Sequence, residues 1–163
     1  MDIIAEELVE EICQEVGGFS PARAKVEMTR LGKKQPALLS FMTEFTCDLD
    51  QEVQELAIYM FFVVFRIFEK GSIRKRREIS PEEIINRYES NSDMIEKLDG
   101  AHEKFIERIA NTQLAAQPYV MKYVVDTLIE MPEDDDPINL TDDDTGYLFL
   151  LFKTVVDVLN QAA

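Results

Sequence analysis

An unbroken apolar run of ten residues, Leu56 to Phe65, constrains the fold of this chain more than any other feature. A helix that is apolar on every side must be surrounded by other protein or by lipid. The run is far shorter than the roughly 20 apolar residues that a membrane span requires, and Glu55 and Arg66 flank it directly. The sequence therefore predicts a central core helix over residues 48–70 that ends at Gly71.

The rest of the chain has the pattern of a single all-helical domain. Its 163 residues are enough for one core, so we expect one domain over residues 1–163. Apolar positions recur at helical spacing from Asp2 to Val16 onward, and no alternating strand pattern is present. Ser20-Pro21 and Ser80-Pro81 are typical helix starts. We expect an all-α fold of about eight helices, arranged as stacked antiparallel hairpins.

Two further boundaries follow from the same patterns. Ile84, Ile85 and Tyr88 indicate a short helix after Ser80-Pro81, which the run Ser90–Ser92 would end. A long amphipathic stripe then starts at Met94.

Two parts of the sequence align with each other. Gln35-Pro36 recurs as Gln117-Pro118, an offset of 82, and the central helix aligns with the last one at an offset of 91. The difference between the offsets falls in the acidic segment before Thr141, which we interpret as an insertion in the second copy. The sequence predicts an internal duplication with pseudo-repeats 1–78 and 79–163.

The hairpin at residues 35–57 carries a pattern of its own. Its elements are Pro36 at the start of the first helix, then Leu38, Leu39 and Phe45, a turn at Asp48 and Asp50, and finally Asp50, Val53 and Ala57. This pattern resembles a HEAT repeat, with Gln54 where the family usually has arginine. The resemblance implies two-helix units near 2–32, 36–70, 80–113 and 118–161. A compact helical bundle is the alternative to such a short HEAT-like array.

The net charge narrows the class of partner. With 32 acidic and 17 basic residues the formal charge is −15, and most of the excess lies in residues 79–163. Nucleic acids and anionic membranes attract cationic surfaces, so we expect neither as a partner and favour a basic protein. The candidate partner-binding residues are Glu6, Glu7, Glu10 and Glu11 on the first helix and Arg74, Lys75, Arg76 and Arg77 in the one basic patch. For that patch, a solvated linker, a contact with an acidic face of the chain or of a second copy, and nucleic-acid binding remain open.

The two cysteines indicate a reducing compartment. Cys13 and Cys47 lie in apolar-periodic segments without CxxC spacing, so both are predicted to be reduced core residues. The first residues have neither a basic region nor a continuous apolar stretch, so no secretion signal is expected. We expect a cytoplasmic protein.

Two groups of residues could bind metal. His102 is the only histidine, and Asp99 and Glu103 accompany it, although a structural histidine on a helix stripe fits the same pattern. The acidic loop 133–144 offers oxygen ligands that suit Ca²⁺ or Mg²⁺. Its carboxylates are Glu133, Asp134, Asp135, Asp136, Asp142, Asp143 and Asp144. A solvated loop, a docking surface and a cation site remain open, because the last three aspartates also suit the first turn of a helix capped by Thr141.

No catalytic or cofactor signature is present, so we expect no enzyme activity and no cofactor. The sequence favours a non-enzymatic scaffold that binds a protein partner through a groove between helices or through its acidic surfaces. The alternative is a small metal- or ligand-binding helical protein that uses the acidic loop or the Asp99/His102/Glu103 cluster. A homo-oligomer is a third hypothesis.

Overall fold

The computed structural model describes residues 1–72, 75–97, 116–129 and 140–162, without the side chains of residues 95–97. These ranges form seven α-helices and no strand, which confirms the all-α fold. The helices are α1 (Glu6–Gly17), α2 (Pro21–Lys34), α3 (Pro36–Thr46), α4 (Gln51–Gly71), α5 (Pro81–Lys97), α6 (Pro118–Ile129) and α7 (Asp142–Gln161). The predicted stripe beyond residue 97 lies outside the described residues. Nowhere in the described ranges is a helix both long and apolar enough to cross a bilayer.

Local capping explains three of the helix starts. The Ser20 hydroxyl accepts a hydrogen bond from the Arg23 amide, and the Ser80 hydroxyl accepts one from the Glu83 amide. At α7, Thr141 forms a capping box with Asp144, so that the side chain of each accepts from the other's backbone amide. These bonds satisfy amides that have no partner inside a helix. Asp50 occupies the N-cap position of α4, but its side chain makes no capping bond.

Two predicted boundaries are wrong. α1 begins at Glu6 rather than Asp2, and the backbone of Asp2 and Ile4 is non-helical and bonded to the Gln117 side chain. The predicted break at Ser90–Ser92 is absent, and α5 continues to Lys97. Asn91 is buried there, with its amide group facing α7, so polar residues that resemble a loop in sequence belong to a helix face.

Two helices, α4 and α7, form the centre of the core. In α4 every residue from Met60 to Phe68 is buried, and in α7 every residue from Leu148 to Val156. The two helices contact each other, and α4 also packs against α1, α2, α3 and α6. The buried part of α4 lies further along the chain than the apolar run predicts, since Tyr59 remains 45% exposed.

The chain closes on itself. Besides the contact of α4 with α7, α1 packs against α6 and α3 against α5, so the first and last predicted units touch directly. In an open array each unit contacts only its sequence neighbours. The arrangement in the described residues is therefore the compact bundle rather than an extended array.

Two glutamines bond non-helical backbone in the same way. The Gln35 side chain donates to the Arg77 carbonyl and accepts from the Ile79 amide, at 2.9 and 3.0 Å. The Gln117 side chain donates to the Asp2 carbonyl and accepts from the Ile4 amide, both at 2.9 Å. In both cases the segment held leads directly into a helix, α5 or α1.

Cys47 corrects another prediction. Both cysteines are free thiols, but Cys47 is exposed and Cys13 only half-buried. Cys47 follows the last residue of α3, in the turn before α4, and its thiol lies 3.0 Å from the Glu44 carbonyl. The prediction that Cys47 lies in the core is wrong because the helical periodicity of α3 does not continue beyond its last residue, Thr46.

Candidate functional site

A groove between α1 and α6 combines acidic residues with tyrosines. It has a volume of about 320 Å³. The α1 wall is formed by Glu6, Val9, Glu10, Cys13 and Gln14, and the α6 wall by Tyr119, Lys122, Tyr123, Asp126 and Thr127. We call this feature the α1/α6 groove. It exists because α6 packs against α1 in the closed bundle.

The α1/α6 groove is negatively charged. The only cation among its described lining residues, Lys122, donates to the Glu6 carboxylate at 2.9 Å, in a pair whose side chains are both well exposed. The bond from Lys122 to Glu6 raises the pKa of Lys122, and the nearby charges of Asp126 and Glu10 raise it further. Neither of these two carboxylates has an ion pair within the described residues. One lysine therefore faces three carboxylates.

Aromatic rings and a thiol line the same groove. Tyr119 is 38% exposed, so its ring is accessible from solvent. Tyr123 lies deeper, where burial raises the pKa of its hydroxyl. Burial, and then the charge of Glu10, raise the pKa of the Cys13 thiol. A thiol with a raised pKa is a poor nucleophile at neutral pH, so Cys13 is suited to contact rather than to catalysis.

The candidates on the first helix divide between two locations. Glu6 and Glu10 lie in the α1/α6 groove, whereas Glu7 and Glu11 are exposed and outside its lining. Glu15, further along α1, points elsewhere and accepts from Arg66 of α4 at 2.7 Å. The acidic residues of α1 therefore lie in three different environments, although the sequence shows them as one stripe.

The basic patch is partly structural. Arg76 donates to the carbonyls of Phe68 and Leu159, at 2.7 and 2.9 Å, and so joins α4 to α7. Arg77 pairs with Glu83 at 2.8 Å. Lys75 is exposed, and Arg74 lies outside the described residues. Of the alternatives that the sequence left open, Arg77 shows a contact with an acidic side chain of the same chain, whereas Arg76 contacts neutral carbonyls.

The metal candidates lie mostly beyond what the structure describes. This holds for Asp99, His102, Glu103 and Glu133 to Asp136. Asp142, Asp143 and Asp144 form the first turn of α7, as the capping pattern predicts. In the described ranges no three potential ligand side chains lie close enough together to hold a metal ion.

The sequence patterns did not predict the buried ion pairs of Arg66 and Lys153. The Arg66 guanidinium bonds Glu15, Glu27 and Glu69, which come from α1, α2 and α4. Lys153 donates to Asp157 at 2.8 Å and to the Asn91 side chain at 3.2 Å. The available signal was a cation at the end of, or inside, an apolar run, since such a charge needs buried partners.

Comparisons of this chain with protein-family models, with curated proteins and with solved structures gave no match.

Proposed function

We propose that this chain is a non-enzymatic interaction module whose α1/α6 groove docks a basic segment of a protein partner. The observation that carries the proposal is the surplus of carboxylates beside the accessible ring of Tyr119 in one concave site. Acidic stretches on a surface are common. Here the packing of α1 on α6 places the acidic residues in a groove with two walls.

The chemistry of the groove selects the partner's side chains. Glu10 and Asp126 provide acceptors for arginine or lysine, and a cation from a partner could also replace Lys122 beside Glu6. Tyr119 presents an aromatic face, against which the stem or the charge of such a side chain would pack. The formal charge of −15 would increase the encounter rate with a basic partner, an effect that salt reduces.

The double variant Glu10→Gln/Asp126→Asn tests the proposal. Both side chains lie in the α1/α6 groove, and the substitutions remove two negative charges at nearly constant shape. The matched control is Glu7→Gln/Glu11→Gln, which removes two charges from exposed positions of α1 outside the groove. The measurement is affinity purification of tagged protein from its native host, followed by titration of the recovered partner over a range of salt concentrations.

The wild type and the control should retain the same partner, with an affinity that falls as salt rises. The groove variant should bind it at least tenfold more weakly, since each hydrogen bond to a charged group contributes roughly 1.5–3 kcal/mol and about 1.4 kcal/mol corresponds to a factor of ten. Equal loss in both double variants would assign the effect to overall charge and contradict the groove. Failure to recover any partner at low salt would count against an interaction module.

The cation site that the sequence left as the alternative gains no support from the described residues. Its acidic loop lies largely outside them, and Asp144 is already engaged at the start of α7. Elemental analysis of the purified protein, with calorimetric titration of Ca²⁺, Mg²⁺ and Zn²⁺, would distinguish this alternative from the proposal.

A further inference from the structure

A second pocket, on a different part of the bundle, has the opposite charge. Its volume is about 340 Å³. It lies between the end of α2, the start of α3, the C-terminal part of α4 and the non-helical segment 75–80. The cations that line it are Lys33, Lys34, Lys75 and Arg76. We call it the basic pocket.

Four cations face two carboxylates there, Glu69 and Glu78. Glu69 is largely occupied, because it binds Lys34 of the pocket at 2.9 Å. It also binds Arg30 at 2.7 Å and Arg66 at 3.3 Å, from outside the pocket. The C-terminal ends of α2 and α4 each contribute roughly half a negative charge, and the start of α3 contributes about half a positive one. These partial charges are too small to cancel the excess, so the basic pocket is net positive in a chain of charge −15.

Arg76 is a cation without a carboxylate partner in the described residues. Its guanidinium donates to two carbonyls and to the Met1 sulfur, all of which are neutral. Burial lowers the pKa of Arg76 to about 10, with the charge of Glu69 acting in the opposite direction. These acceptors, and the Phe68 ring 4.9 Å from the guanidinium carbon, satisfy the donors of this partly buried group without neutralising its charge, which a bound anion would do.

The walls of the basic pocket are fixed. The Gln35 side chain holds the backbone of Arg77 and Ile79, and Arg76 itself is bonded to α4 and α7. Lys33 and Lys75 are exposed and have no ion pair within the described ranges, so both are free to meet a ligand. Phe65 supplies an apolar surface beside them.

We infer that the basic pocket binds the phosphate group of a small phosphorylated molecule. Lysine and arginine are the usual partners of phosphate oxygens. A pocket of this size falls within the range of sites for small ligands and leaves room for more than the phosphate itself. The site is separate from the α1/α6 groove, with which it shares no lining residue.

The test is calorimetric titration with inorganic phosphate and with glycerol 3-phosphate in a phosphate-free buffer. Wild-type protein should bind both saturably, in the millimolar range or tighter. The double variant Lys33→Gln/Lys75→Gln should weaken both by about tenfold or more, because each lysine provides a charge-assisted hydrogen bond. Neither side chain has a described partner, so the variant should melt at the same temperature as the wild type.

The matched control is Lys25→Gln/Lys70→Gln, which removes the same charge from exposed lysines outside the pocket lining and should retain the affinity within about twofold. Equal losses in the two variants, or no saturable binding by the wild type, would overturn the inference. Sedimentation with phosphatidylcholine vesicles that contain phosphatidic acid separates the two sources of phosphate. Binding to these vesicles without binding of either soluble phosphate would contradict a small-molecule site.

Discussion

At the scale of single residues, buried charges connect helices that are far apart in sequence. Arg66 and Lys153 are the buried cations in the described part of the chain, and their partners include Glu15, Glu27 and Asn91 on other helices. The Arg66 Nε is buried without a hydrogen-bond partner in these ranges. Removing a partner from such a cation costs more than the pair contributes, since the charge left behind stays buried.

Glu69 should make the folding stability depend on pH. Burial opposes its ionisation, but the hydrogen bonds from Arg30 and Lys34 outweigh this and lower its pKa from the ordinary 4.5 to about 2. The unfolded chain therefore binds this proton more readily than the folded one. The stability contributed by Glu69 is complete above about pH 5 and is lost as the pH falls toward 2.

Urea unfolding followed by circular dichroism, from pH 7 down to pH 2, measures this effect. The Glu69→Gln variant should be less stable than the wild type at pH 7, and the difference should shrink as the pH falls through that window. The exposed control Glu52→Gln should follow the wild-type curve. A gap between wild type and Glu69→Gln that stays constant with pH would contradict the assignment.

At the scale of helices, capping can be predicted from the sequence, whereas burial can be predicted only in part. The starts of α2, α5 and α7 were predictable, because a serine or threonine bonds an amide three residues along. The continuation of α5 through Ser90–Ser92 was not, because the partners of Asn91 lie on α7, more than 60 residues later. The position of Tyr59 at the surface likewise depends on the arrangement of neighbouring helices.

Two nearby positions in α4 test which of its side chains contribute to the core. Phe61 has no exposed surface, whereas Tyr59, two residues earlier, is 45% exposed. Phe61→Ala should lower the free energy of unfolding by about 3–5 kcal/mol, through lost burial and the cavity left behind. Tyr59→Ala should cost less than about 1 kcal/mol. Urea denaturation measures both, and similar losses at the two positions would show that α4 packs differently.

At the scale of the whole molecule, the choice between array and bundle depended on contacts that local patterns do not encode. The contacts of α1 with α6 and of α4 with α7 join the two ends of the chain. The α1/α6 groove is a product of this closure, so Glu6 and Glu10 were predictable as surface acids but not as one wall of a site. Gln35 and Gln117 make matching bonds, but the duplication stays a prediction.

Closure predicts that the bundle unfolds as one unit. Far-ultraviolet circular dichroism and tyrosine fluorescence should give coincident single transitions in urea. Gln117→Ala should lower the free energy of unfolding by about 1–3 kcal/mol without splitting the transition, because it leaves the backbone of Asp2 and Ile4 without these bonds. The exposed control Gln14→Ala should change it by less than about 0.5 kcal/mol. Two separate transitions would indicate independently stable halves.

The bonds of Gln117 to Asp2 and Ile4 also impose an order on synthesis. During translation, residues 2–4 leave the ribosome long before Gln117 exists, so these two bonds cannot form until Gln117 has been made. The contact between α1 and α6 likewise cannot form until α6 has been synthesised. The closing contacts span more than 110 residues and are therefore formed late, after the central helix α4 and its nearest neighbours have had time to associate.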